Sequence, residues 1–145
     1  MNLLKLSRLV ALFLVVIVIA AGCKKDDNPT ESTDNPSQFA GTWKMTKVTV
    51  TYSGSNIELT PEQAETQMTI VAGSDGSYQM TTITTSGTTV QTGTWKINGT
   101  KMELKYSDGT SQSLDFTLNG NKCTIKTTVN ALGTTLPATL EFTKQ

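Results

Sequence analysis

From Phe39 to the last residue, apolar and polar side chains alternate with period two, and turn residues break the alternation every eight to twelve positions. A strand with that rhythm shows one apolar and one wet face. A helix would need its apolar residues three and four apart. Tyr78, Met80 and Thr82 alternate with polar residues, as do Met102, Leu104 and Tyr106. Leu114, Phe116 and Leu118 follow, then Cys123, Ile125, Thr127 and Val129, and finally Leu136, Ala138, Leu140 and Phe142. The chain's 27 threonines, mostly set between apolar residues, push the same way. Asn98-Gly99, Asp108-Gly109 and Asn119-Gly120 predict tight hairpins, where positive φ favours those residues, and Ser74-Asp75-Gly76 and Ser86-Gly87 serve similarly. Eight strands are expected, at 42–53, 66–72, 77–85, 88–97, 100–107, 110–118, 121–130 and 135–144.

Two of these strands switch parity. Trp43 and Met45 are odd where Val48, Val50 and Tyr52 are even, and Val90 is even where Trp95 and Ile97 are odd. Such a switch signals a bulge or bend, the device that lets a sheet curl shut. Hairpin connections with bent members predict an all-β fold, an eight-stranded antiparallel up-and-down barrel, with no free edges and an expected monomer. A two-sheet sandwich would need longer crossovers. The one long connection, Gly54 to Glu65, contains Thr60-Pro61-Glu62-Gln63, which reads as an N-cap, a first-turn Pro and a capping-box Gln. It predicts a short helical turn over 61–65, between the first two strands.

The N-terminal segment differs in kind. Lys5 and Arg8 precede an unbroken apolar run of 13 residues, Leu9 to Ala21. As a helix that run is about 20 Å long, short of the roughly 30 Å hydrocarbon core. Small residues Ala20, Ala21 and Gly22 follow, as at a secretory cleavage site. Ala20-Ala21-Gly22-Cys23 resembles the lipobox of bacterial lipoproteins. That resemblance implies a signal peptide over 1–22, cleavage between Gly22 and Cys23, and palmitate-type acylation at Cys23. Several acyl chains would anchor the protein firmly, at about 0.8 kcal/mol per buried CH₂. Lys24 directly after the Cys, in place of a retaining Asp, implies outer-membrane sorting. Lys25-Asp26-Asp27 resembles the export signal of surface-displayed lipoproteins, implying outward display at the cell surface. Lys24 to Gln38 carries only charged, polar and Pro residues and is expected to be a disordered tether, giving units at 1–22, 23–38 and 39–145.

Gly41-Thr42-Trp43 opens the first strand, and seven hairpin-linked strands follow. This resembles the Gly-x-Trp signature of lipocalins, so 39–145 is similar to the lipocalin-like domains of bacterial lipoproteins. The resemblance implies a barrel with Trp43 plugging one end. It also implies a cation over Trp43 near the end of the last strand, where Lys144 stands in for the family's usual Arg. Gly93-Thr94-Trp95-Lys96 repeats Gly41-Thr42-Trp43-Lys44, by duplication or by convergence on strand chemistry.

The composition bears on chemistry. The chain has no His, and its single Arg is Arg8. It lacks the commonest general base, the usual zinc ligand and the bidentate phosphate clamp. Beyond residue 22 there are 10 basic and 12 acidic side chains, which leaves no basic excess for nucleic acid. No catalytic site, metal or cofactor is expected, and Cys123 shares an apolar face with Ile125 and Val129. What remains is the interior. Met45, Met68, Met80 and Met102 fall on inward positions with Tyr78 and Trp95, and such side chains adapt to varied apolar ligands. Ile57, Leu59 and Leu132 lie in connections at one barrel end and are expected to form a lid. An eight-stranded barrel is just wide enough for its own side chains to fill. Two readings therefore stand: a tethered domain holding a small apolar or amphipathic ligand, or a solid-core interaction module that contacts protein or glycan through its loops.

Overall fold

The computed structural model describes residues 36–131 and 134–145. The segment read as a signal peptide, Cys23, most of the segment read as a tether, and Leu132 lie outside the described residues. A single helical turn, α1 (Pro36–Phe39), begins inside the segment read as tether. It leads into β1 (Gly41–Tyr52), followed by β2 (Ser55–Leu59), β3 (Thr66–Ala72), β4 (Ser77–Thr84) and β5 (Gly87–Asn98). β6 (Lys101–Tyr106), β7 (Ser111–Asn119), β8 (Lys122–Ala131) and β9 (Thr134–Lys144) complete the chain. Every pairing is antiparallel between sequence neighbours, except that β1 pairs with β3 and closes the sheet on β9. Eight strands thus form a closed barrel, and β2 is added to the edge of β1.

β2 corrects the expected loop over 54–65. Ser53 and Gly54 both have positive φ, 48° and 79°, the pattern of a two-residue hairpin turn. Val50 faces Ile57 across the resulting ladder, and Val48 faces Leu59. β1 pairs with β3 only over Gly41–Lys44, and β2 takes up the rest of that edge. Lys47 braces the arrangement, reaching Glu58 on β2 at 3.2 Å and Glu141 on β9 at 2.8 Å. The turn after β2 is the expected capping box. The Thr60 N–H donates to Gln63 Oε1 at 2.9 Å, and the Gln63 N–H donates to Thr60 Oγ1 at 3.3 Å. It buries Ala64 in the core.

The parity switch in β1 is a bulge. The β1–β9 register slips between Met45 and Lys47, so Trp43, Met45, Val48 and Val50 all point inward and are buried. The expected switch in β5 is absent. Its pairings with β4 and β6 run without slippage, and Val90 faces outward, 55% exposed. The inward set of β5 is odd throughout, with Gln91 and Thr89 continuing the row of Trp95. Polar residues face inward there because that stretch of wall borders an opening.

Cys123 is free and 1% exposed, and burial pushes its thiol up to about 12. The thiolate is the nucleophile, so at pH 8 Cys123 should resist a disulfide reagent in the folded chain and react once denaturant is added. Stoichiometric labelling of the native chain within minutes would contradict that placement.

Candidate functional site

One end of the barrel is closed by aromatic packing. The turns at 73–76, 99–100 and 120–121 lie at this end together with α1. The Phe39 ring stacks on Trp43 (5.2 Å, 16°) and meets Trp95 and Phe116 edge-on at 5.1 and 5.3 Å. Buried indoles need a partner for their N–H. Trp43 donates to the Phe39 carbonyl at 2.7 Å, and Trp95 to the Ser77 carbonyl at 2.9 Å. The two Gly-Thr-Trp-Lys tetrapeptides therefore send their indoles to one plug. Lys144 Nζ lies 5.5 Å from the centroid of Trp43 and donates to the Gln38 carbonyl at 3.3 Å. Gly41 makes room for it. Its φ is 135°, and a Cβ there would come within 2.6 Å of Lys144 Cε.

Beyond the plug the barrel is hollow. A cavity of about 400 Å³ has Phe39, Trp95 and Phe142 at its closed end. Met68, Ile70, Met80, Met102, Leu104, Ile125, Val129 and Leu140 form its apolar wall. Thr82, Thr89, Gln91, Gln112, Thr127, Thr128 and Asn130 add a polar portion. Among the described residues, no charged side chain lines it.

Hydrogen-bond register locates the opening. β5 pairs with β6 only over Gly93–Asn98, so its first six residues stand beyond the end of β6. β7 changes partner at Asp115, with residues 111–115 bonded to β6 and 115–119 to β8. Thr127 to Asn130 of β8 therefore have no ladder partner on the β7 side. The β6–β7 hairpin leaves a notch in the wall, flanked by Thr89 and Gln91 on β5 and by Thr127, Thr128 and Asn130 on β8. Its sill is tied by the Tyr106 hydroxyl, which donates to Gln112 Oε1 at 2.5 Å.

Tyr78 on β4 and Tyr106 on β6 flank Gly93 of β5, their rings edge-to-face at 6.4 Å. Burial, then Tyr106 and Asp108, pushes the Tyr78 phenol up to about 12. Burial and Asp108 raise Tyr106 as well. Both therefore remain hydroxyl donors at any ordinary pH.

Of the residues singled out in the sequence, Met68, Met80, Met102, Tyr78 and Trp95 come together on the cavity wall. Met45 is buried but does not reach the cavity. Ile57 and Leu59 belong to β2 and are absent from the wall, so the expected lid of 54–65 over the methionines is not formed. Leu59 instead packs against the core from the flank. Thr89, Gln91, Gln112, Thr128 and Asn130 were not foreseen. The usable signal was parity, because Gln91 continues the row of Gly93 and Trp95, and Gln112 that of Leu114 and Phe116.

A model of the lipocalin-like domain matches residues 39–125, more than half of the chain. The chain belongs to the lipocalin-like domain family. No curated protein matches it. Among solved structures it is similar to an uncharacterized protein from Bacteroides eggerthii DSM 20697, at 12% identity and a TM-score of 0.46. The likeness covers 74% of this chain and 99% of that one. Within this lipocalin-like domain the Gly-x-Trp residues Gly41 and Trp43 build the plug, and the cavity opens through the β6–β7 notch.

Proposed function

We propose that this lipocalin-like domain holds a small apolar or amphipathic molecule in its notched cavity. The observation that carries the reading is the cavity itself. At about 400 Å³ it falls within the roughly 300–1,000 Å³ span of small-molecule sites, with apolar walls and a few polar groups. Three methionines on the wall suit it to ligands of varied shape. Diphenylhexatriene, a hydrocarbon that fluoresces when removed from water, should bind the purified chain saturably in the micromolar range. Met80→Trp, which puts a larger side chain into the cavity, should weaken that binding about tenfold or more, or roughly 1.4 kcal/mol. Signal that rises without saturation, or is unchanged in Met80→Trp, would leave the interaction-module reading in its place.

The same proposal places the domain at a membrane. Cleavage before Cys23 and acylation there, read from Ala20-Ala21-Gly22-Cys23, would anchor it at the outer membrane, facing outward, with residues 24–35 as tether. Cys23→Ser should abolish incorporation of a palmitate analogue and leave the chain uncleaved. Undiminished labelling of that variant would rule out the anchor.

A further inference from the structure

Among the described residues, the Tyr78 hydroxyl is the one buried side-chain polar atom without a hydrogen-bond partner. Tyr78 is 5% exposed, and its side chain forms part of the cavity wall; the hydroxyl itself is closed off, so a ligand reaches it only when the Tyr78 ring turns towards the cavity. A buried hydroxyl left unpaired is costly, and phenylalanine would fill nearly the same space without that cost. The neighbouring hydroxyl does not relieve it: Tyr106 donates to Gln112 and makes no hydrogen bond with Tyr78. Gly93 shapes the niche: a Cβ there would lie 3.0 Å from Tyr78 Cε1. Resting on the ligand-cavity reading above, we propose that Tyr78 donates its hydroxyl proton in a hydrogen bond to an uncharged oxygen, alcohol or carbonyl, of an amphiphile whose hydrocarbon part lies on Met68, Met80 and Met102.

The absence of charge on the wall sets the ligand class. A carboxylate brought to Tyr78 would lose its water and find no Lys or Arg among the described residues of the cavity wall. It would also feel Asp108, whose charge acts on both tyrosines and disfavours further negative charge. An alcohol, ketone or ester keeps the hydrogen bond and escapes both costs. The site therefore selects neutral amphiphiles over fatty-acid anions of equal length.

The test compares decanol and decanoate by calorimetry at pH 8, on the purified full chain and on Tyr78→Phe, with diphenylhexatriene as a probe that has no polar atom. Decanol should bind wild type about tenfold more tightly than decanoate does. Tyr78→Phe should weaken decanol about 3- to 10-fold, a larger loss than it causes for diphenylhexatriene. The unliganded variant should melt at or above the wild-type temperature, since it loses only an unpaired hydroxyl. Decanol binding that ignores Tyr78→Phe, decanoate as tight as decanol, or a lower melting temperature for the variant would each overturn the assignment while diphenylhexatriene still binds. If neither decanol nor diphenylhexatriene binds wild type, the cavity reading falls with it.

Discussion

Trp43→Ala should destabilise the fold by about 3–5 kcal/mol, the range of large aromatic truncations in cores. Trp43 is 0% exposed, and its loss empties the closed end of the barrel. Its indole N–H holds the Phe39 carbonyl, and its ring face holds the Phe39 ring. Phe39 in turn touches Trp95 and Phe116, so the truncation releases α1 from three strands at once. The Lys144 contact adds about 0.5–1 kcal/mol at most, because the ammonium is partly solvated. For a domain of this size the melting temperature should fall by at least about 12 °C. Trp43→Phe keeps most of the volume and loses the N–H, so it should cost about 1–2 kcal/mol. Urea melts of both variants check this, and a loss below about 1 kcal/mol for Trp43→Ala would place the ring outside the core.

Gly93→Ala should cost about 3 kcal/mol, the upper end for overpacking, although it adds one methyl group. A Cβ on Gly93 would sit on the Lys105 carbonyl oxygen of β6, well inside contact distance, and only 3.0 Å from Tyr78. The first clash is with backbone, which cannot rotate away. β6 would have to move off β5, straining the Gly93–Tyr106 and Thr94–Lys105 pairings and the Ser107-to-Thr92 hydrogen bond. Ser86→Ala, in an exposed turn, is the control. Equal urea midpoints for the two variants would mean that β5 and β6 do not approach as closely as described.

The barrel was legible in the sequence because its information is local. Alternation names the inward face of each strand, and Asn-Gly or Asp-Gly turns fix the neighbours. The bulge near Thr46 was readable as a parity change for the same reason. β2 was hidden by its brevity: its Ser53-Gly54 turn is the same dipeptide as Ser86-Gly87, but the strand it leads into is too short to declare itself. Five residues, of which only Ile57 and Leu59 are apolar, gave the alternation little to show. In β5 the apolar Val90 faces outward, against its hydropathy, whereas the wall beside the notch is lined by Thr89 and Gln91. The notch is a property of register. β7 pairs with β6 over one half and β8 over the other, and no residue type encodes where that exchange occurs.

An occupied cavity can be weighed directly. Native mass spectrometry of the chain, purified gently from the cells that make it, should show a non-covalent adduct of small-molecule mass. That adduct should disappear on unfolding and be diminished in Met80→Trp. Bare wild-type chain, still bare after incubation with decanol and with diphenylhexatriene, would contradict a ligand-holding barrel.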